Sequence, residues 1–303
     1  MRLNDKNCPY CAGNKFTHYS AQAHDAAQRF VQIIECIACQ AAWQWPLQRT
    51  EEQSEQVFGD AYASQAQGSY FDQDRRESIA TCQRAFINSK GPPIGRLLDI
   101  GCGDGVFARG MAQRGWRALG LDPSLKATTA ETFPNGFLQL SSEDLASVPA
   151  TSKFDVVTLW DVVEHVERPD VLLAAATTHL APGGMLVVET GNYQCLTRLQ
   201  NRKSWWNYQL DHRWYLAPPQ LRAMLESAGL NRVELSDHVL RPWWKGQACA
   251  KRPGLRSLAA SIAHNPANAP RAWKQHQEFR VVDSLWRSWS GLEIMTMTGW
   301  QAS

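Results

Sequence analysis

The chain is short of several things, and each shortage excludes a class of function. Its 303 residues contain no run of about eighteen consecutive apolar residues, so no membrane-spanning helix is expected. The opening stretch Met1-Arg-Leu-Asn-Asp-Lys-Asn-Cys8 has no apolar core and does not read as a secretory signal. Charge of one sign is scarce in the balance. With 31 Lys and Arg against 29 Asp and Glu, the net charge is only +2, far from the basic excess of a protein that tracks phosphates. The first fifty residues hold only Arg2, Lys6, Lys15, Arg29 and Arg49 as cations. Neither nucleic acid nor a membrane is therefore expected as a partner, and a cytoplasmic location is expected. A hydrophobic fraction of 44% and 20% charged residues describe a globular chain. Its length allows one α/β domain of about 200 residues and something smaller.

What is present is concentrated between residues 96 and 124. Residues 97–105 read Leu-Leu-Asp-Ile-Gly-Cys-Gly-Asp-Gly, an apolar strand running into three alternating glycines and a helix start. Asp122 follows in Gly-Leu-Asp-Pro-Ser, at the end of a second strand. A nucleoside-type cofactor lying over the carboxyl ends of parallel strands suits this arrangement. A dinucleotide fingerprint needs Gly-x-Gly-x-x-Gly, and here the spacing is Gly101-x-Gly103-x-Gly105 with Val106 in the third place. The loop thus serves close backbone approach to a ligand rather than a pyrophosphate. Asp122 can accept hydrogen bonds from two ribose hydroxyls. The competing reading is an ordinary βα loop with a strand-end aspartate.

Further signals follow in order. They are Gln139-Leu-Ser-Ser-Glu-Asp-Leu-Ala, Phe154-Asp-Val-Val-Thr-Leu-Trp-Asp-Val-Val-Glu-His-Val, Leu180-Ala-Pro-Gly-Gly-Met-Leu-Val-Val-Glu-Thr-Gly-Asn and Asp211-His-Arg-Trp-Tyr-Leu-Ala-Pro-Pro-Gln-Leu. Together with the glycine loop they resemble the class I S-adenosylmethionine-dependent methyltransferases over roughly residues 70–240. The resemblance implies a Rossmann-like, seven-stranded, doubly wound sheet. It implies cofactor contacts from Asp99, Gly101, Cys102, Gly103, Gly105, Asp122 and Pro123, with Ser142, Glu143 and Asp144 at the adenine. Trp160 and Asp161 would hold the methionine end, largely through backbone. The family's turn after the fifth strand usually carries a proline where this chain has Gly191. Cys102 reads as a small loop residue rather than a nucleophile.

Methyl transfer from a sulfonium is an in-line displacement, so alignment carries much of the catalysis. A base is needed only when the acceptor must lose a proton. His212 and His165 are the imidazoles best placed by resemblance, and an ordinary imidazole titrates in the right range. The acceptor is expected to be a small anionic or aromatic molecule. An RNA methyltransferase and a non-catalytic binding protein are the alternatives; no Asn-Pro-Pro-Tyr base-flipping motif follows the fourth strand.

Four of the eight cysteines form a second constellation. Cys8-Pro-Tyr-Cys11 and Cys36-Ile-Ala-Cys39 are two Cys-x-x-Cys knuckles separated by 24 residues. Two such knuckles can present four thiolates tetrahedrally, as in a structural zinc site. Disulfides or a redox pair are the other readings. Residues 1–47 are thus expected to form a zinc ribbon, 48–69 a Gln/Glu/Ser-rich linker, and 70–303 the methyltransferase domain. The module could cover the substrate mouth or mediate self-association, which leaves a homo-oligomer open.

From 96 onward strands are expected near 96–101, 116–121, 136–140, 154–160, 184–190, 231–239 and 292–298. Helices are expected over 72–89 and near 105–114, 124–131, 143–147, 169–180 and 217–228, with Gly229 as a C-cap. Such alternation implies a parallel sheet with helices on both faces. Residues 241–290 form an insertion, read as helical, with nine Lys or Arg against two acidic residues. Eight of the 13 tryptophans fall in 205–289. This insertion and residues 198–214 are expected to cap the substrate side.

Overall fold

Strand and helix alternate as the hydrophobic pattern requires, and they assemble two sheets. The computed structural model describes residues 7–23, 29–46, 73–236 and 294–302. The linker 48–69 and the insertion 241–290 lie outside these. The first sheet starts with β1 (Phe16–Gln22), β2 (Phe30–Cys36) and β3 (Ala42–Trp45), an antiparallel meander. Helix α1 (Gln73–Lys90) precedes β4 (Arg96–Ile100), α2 (Val106–Ala112) and β5 (Arg117–Leu121). Next come β6 (Thr129–Thr132), β7 (Phe137–Ser141), β8 (Phe154–Trp160), α3 (Pro169–Thr178) and β9 (Leu180–Gly191). The chain continues through α4 (Leu196–Asn201), β10 (Trp214–Tyr215), α5 (Pro218–Ser227) and β11 (Arg232–Leu235), and β12 (Ile294–Trp300) is its last strand among the described residues.

The large sheet has the order β11-β12-β9-β8-β4-β5-β7-β6. Its five central strands are parallel, and β12 runs antiparallel between β9 and β11. This is the expected Rossmann-like α/β architecture with one strand more than the seven anticipated. The extra strand is β6, and it replaces the helix expected near 124–131. Thr128, Thr129 and Thr132 favour extended backbone over helix, and Pro134-Asn-Gly136 closes a turn in which the Phe133 N–H donates to the Gly136 carbonyl at 3.0 Å. Arg109 of α2 then grips Glu131 of β6 at 2.8 Å. The helix expected at 143–147 is likewise only one 3-10 turn, Leu145–Ser147. At the end of α5, Gly229 has φ +94° and stops the helix as anticipated.

Each face of the large sheet has its own core. Phe86, Ile87, Phe107 and Met111 of α1 and α2 cover Leu97, Val156 and Val187 on one side. Leu173, Leu221 and Leu225 of α3 and α5 cover Leu98, Val157 and Val188 on the other. Cys8, Ile34, Cys36, Ala41 and Trp43 from the N-terminal meander belong to this second core without a break. The meander is also completed from outside, because β10 pairs antiparallel with β3, setting Trp214 opposite Trp43 and Tyr215 opposite Ala42. A third cluster packs Ala21, Val31 and Ile33 against Tyr193, Trp205, Tyr208 and Tyr215.

A shared core predicts shared cooperativity. Trp43 is 6% exposed and meets the ring of Trp214 at 6.2 Å. Trp43→Ala should cost about 3–5 kcal/mol and move the whole denaturant transition to lower midpoint, followed by far-UV circular dichroism. A variant that loses only a small separate transition would show instead that the meander melts alone.

Candidate functional site

The residues picked out around the glycine loop converge at the carboxyl ends of β4, β5, β7 and β8. Asp99 is the penultimate residue of β4 and is buried, with its Oδ1 accepting from the Thr158 hydroxyl at 2.7 Å. Burial and the neighbouring Asp122 push its carboxyl up to about 7, against the lowering effect of Thr158. The loop then turns through Gly101, Gly103 and Gly105, all at positive φ. The three glycines have different surroundings. A Cβ on Gly105 would meet Leu140 at 2.7 Å, and one on Gly101 would meet Val162 at 2.5 Å, whereas a Cβ on Gly103 meets nothing within 4 Å. Gly101 and Gly105 serve packing, and Gly103 lines open space.

Asp122 is already oriented. Its Oδ2 accepts from the Gly103 N–H at 2.8 Å, and its Oδ1 accepts from the Ser124 N–H at 2.8 Å and the Ser124 hydroxyl at 2.6 Å. Pro123 is exposed beside it. Ser142, Glu143 and Asp144 form the exposed loop after β7, where the Glu143 N–H donates to the Ser141 hydroxyl at 3.2 Å. Cys102 keeps a thiol pushed well above its ordinary range by burial and by Asp99 and Asp122, which makes it a poor nucleophile. Trp160 closes the other side, its ring edge-on to Phe107 at 5.2 Å and its buried Nε1 without a hydrogen bond. Asp161 turns the chain at φ +53°, a conformation that costs a non-glycine residue about 1–3 kcal/mol and is concentrated at functional sites.

A second group lies immediately beyond. The rings of His165 and His212 are brought to 4.7 Å, nearly perpendicular. Asp211 Oδ2 lies 3.4 Å from His165 Nδ1. His212 is only 4% exposed, and burial, reinforced by His165, lowers its pKa to about 3. It is therefore neutral at physiological pH. His165 is the more open of the pair, with 24% of its side chain exposed. Glu164 is buried and pushed up to about 8 by desolvation. One ligand atom each from Glu164, His165 and His212 lie within 4.8 Å of one another, so the trio can share a proton or a cation. Glu164 and Asp211 are additions to the sequence reading, although both flank a histidine singled out there.

Of the tryptophans in 205–289, Trp205 and Trp214 are buried and Trp206 is half-buried, while Trp243, Trp244, Trp273, Trp286 and Trp289 lie outside the described residues. Trp205, Tyr193, Tyr208 and Tyr215 are at most 1% exposed and pack on the N-terminal meander.

Cys8, Cys11, Cys36 and Cys39 form a third group. Their sulfurs lie within 4.8 Å of one another, with Cys8–Cys39 at 3.5 Å and Cys11–Cys36 at 3.6 Å, unbonded. Four sulfurs around a tetrahedral zinc are separated by about 3.8 Å. The two knuckles share one turn geometry, with Ala12 and Gln40, each four residues after the leading cysteine, both at φ +58°. Burial pushes the Cys8 thiol up to about 11 and Cys39 higher still, so these thiols favour the neutral form until a cation lies among them. The donor set fits zinc.

Comparison with known proteins agrees with the fold. A family model described as a methyltransferase domain matches residues 70–235, more than half of the chain. A ubiquinone biosynthesis O-methyltransferase of Xanthomonas axonopodis pv. citri (strain 306) is 28% identical over 197 residues, covering 58% of this chain and 80% of that protein. One from Cereibacter sphaeroides (strain ATCC 17025 / ATH 2.4.3) is 32% identical over 189 residues, covering 55% of this chain and 73% of that protein. Among solved structures, the 1,6-didemethyltoxoflavin-N1-methyltransferase of Burkholderia thailandensis, with bound 1,6-didemethyltoxoflavin and S-adenosylhomocysteine, superposes with a TM-score of 0.51 at 15% identity. The match covers 88% of this chain and 98% of that one. The chain belongs to the methyltransferase-domain family, and it is an S-adenosylmethionine-dependent methyltransferase.

Glu189, on β9 beside Trp160, gives a pH prediction. It is fully buried, held by Gln83 and Thr296, and burial raises its carboxyl from 4.5 to about 7. Between those values the unfolded chain has released the proton that the native state still holds, so stability falls as pH rises through this window. The difference is up to about 3 kcal/mol. Glu189→Gln keeps the shape without the proton. The stability of wild type minus variant, from urea melts at pH 4.5 and pH 7.5, should decrease by part of that amount; a pH-independent difference would exclude it.

Proposed function

We propose that this enzyme methylates a hydroxyl of a small aromatic or anionic molecule, with His165 as general base. The observation that carries the reading is the Asp211–His165 pair, placed just past the strand end that holds Trp160 and Asp161. S-adenosylmethionine supplies an electrophilic methyl group on a sulfonium. The chain's own residues do the rest. The Gly101–Gly105 loop lets the backbone approach the cofactor, with Asp99 behind it and Cys102 as a small neutral filler. Asp122 accepts from the ribose hydroxyls. Pro123 borders the ribose, and Ser142, Glu143 and Asp144 meet the adenine edge. Trp160 and Asp161 hold the methionine end.

Asp211, whose Oδ2 stands 3.4 Å from His165 Nδ1, stabilises the imidazolium that forms when Nε2 takes the acceptor's proton. His212, buried and neutral, supports the ring of His165 edge-on rather than exchanging protons with a substrate. An acceptor oxygen is the choice because the similar ubiquinone-biosynthesis proteins are O-methyltransferases by name and because oxygen, unlike a free amine or thiolate, needs that base. Cys8, Cys11, Cys36 and Cys39 hold one structural zinc, which calls for thiolates rather than disulfides and so suits a cytoplasmic enzyme.

Methyl-labelled cofactor incubated with the protein and a fractionated cell extract tests the reading. Label should enter the acid-soluble, low-molecular-weight pool and appear on phenolic compounds offered singly; label in RNA or protein would overturn it. His165→Gln should slow turnover by about 100-fold or more while the calorimetric affinity for S-adenosylmethionine stays unchanged. Asp122→Ala should do the reverse and weaken cofactor binding. Unchanged affinity would remove the ribose assignment.

The zinc is tested separately. Elemental analysis should find about one zinc per chain, and Cys36→Ser should lose it. A stable, metal-free wild type would reject the site.

A further inference from the structure

We propose that the N-terminal Cys-knuckle meander positions the histidine pair, acting through Gln220, Gln44 and Trp214; the inference rests on the reading of His165 as base. The need for such a device follows from where Asp211 and His212 sit. Residues 205–213 form neither helix nor strand, so their backbone must be held by hydrogen bonds from elsewhere. Two of these come from the catalytic domain itself. The N–H groups of Arg213 and Trp214 both donate to the Glu164 carbonyl, at 2.7 and 3.1 Å. They fix Asp211 and His212 relative to His165.

The meander grips the same segment through its own hydrogen bonds. The Gln44 N–H donates to the Arg213 carbonyl at 2.9 Å, and the Gln44 side-chain amide donates to the Gln209 carbonyl and, at 3.0 Å, to the Tyr215 hydroxyl. Trp214 bridges both sides. Its Nε1 donates to the Val166 carbonyl at 3.0 Å, and its ring meets Tyr10 of the first knuckle edge-on at 5.6 Å. Gln220, in the first turn of α5, has a divided role. Its Oε1 accepts from the Ala217 N–H at 3.2 Å, and its Nε2 donates to the carbonyl of the knuckle residue Cys39 at 2.6 Å. Upstream, Tyr19 of β1 bonds the hydroxyls of Tyr193 and Tyr208, at 2.5 and 3.0 Å, and Glu35 of β2 accepts from Tyr193 at 2.7 Å.

The loop carrying Asp211 and His212 is thus pinned at both ends by the module the four cysteines shape. None of these contacts touches the glycine loop or Asp122. Gln44, Trp214 and Gln220 are positioning residues: they set the geometry of the histidine pair and leave the cofactor loop alone.

Gln220→Glu, studied at pH 8, separates positioning from capping. A carboxylate still accepts from Ala217, as a capping box allows, but it has no hydrogen to give Cys39. Gln44→Leu cuts the other tie. The first reading is the imidazole NMR spectrum, with His165 and His212 assigned from His165→Gln and His212→Asn. It is taken with zinc content, cofactor affinity by calorimetry, and kcat and KM on any acceptor found. Both variants should keep wild-type zinc and bind S-adenosylmethionine within about twofold. The two imidazole resonances should move, and kcat should fall by about tenfold with little change in the KM for cofactor. Unmoved resonances in both folded variants would overturn the proposal. If one variant fails to fold, the other decides; if both fail, the meander is required by the fold as a whole and the positioning role is rejected. Should no acceptor accept a methyl group, the functional reading falls, but the imidazole spectrum still decides this one.

Discussion

The site depends on the register of the parallel strands. Ile100 lies level with Leu121 on one side and Leu159 on the other, Leu121 with Ser141, and Leu159 with Val188. One line therefore crosses five strands at the same height. The residues one step beyond it are Ser142, Asp122, Gly101, Trp160 and Glu189. Parallel pairing brings the carboxyl ends of distant segments together, and the crevice beyond them is where open α/β sheets bind ligands. A slip of one residue in β4 would exchange the faces of Asp99 and Ile100 and pull the glycine loop from Asp122.

That crevice is lined with carboxyls held away from water. Asp99 and Glu189 are pushed to about 7 and Glu164 to about 8, in each case mainly by burial. Each has a neutral donor in place of a cation: Thr158 for Asp99, Gln83 and Thr296 for Glu189, and Thr190 for Glu164. Buried acids without a countercharge cost stability when ionised. Kept near neutral pH in the protonated form, they avoid that cost. Open space beside Gly103 and the unpartnered Trp160 Nε1 lie at the carboxyl ends of the neighbouring strands β4 and β8.

The sequence carried the parts of this arrangement that depend on local pattern. Strand, glycine turn and acidic strand end are contiguous signals, and so are the knuckle cysteines, so both were legible without coordinates. Local pattern failed where it was weak. Residues 124–131 show helix-compatible spacing, but three threonines and the Pro134-Asn-Gly turn decide for a hairpin once β7 offers an edge. Asp211 and Glu164 were visible only as neighbours of histidines, because their part in the cluster comes from a contact across 47 residues of chain. The burial of His212 was not legible at all. Its ring packs against His165 and Tyr215, contacts that no periodicity reports.

The tryptophan-rich stretch shows the same limit from the other side. Residues 198–214 read as part of a substrate-side cap, yet Trp205 and Tyr208, with Tyr215 just beyond them, are spent on the contact with β1 and β2. Composition counts side chains without saying which partner buries them. Here the partner is more than a hundred residues upstream and arrives as a small sheet with one edge open. Two residues, Trp214 and Tyr215, fill that edge. A two-residue strand has no pattern of its own, so its pairing with β3 comes from the edge it meets. The segment that links the two modules is therefore also the one that carries Asp211 and His212, so the histidine pair sits where hydrogen bonds from the Glu164 carbonyl and from Gln44 of the meander meet.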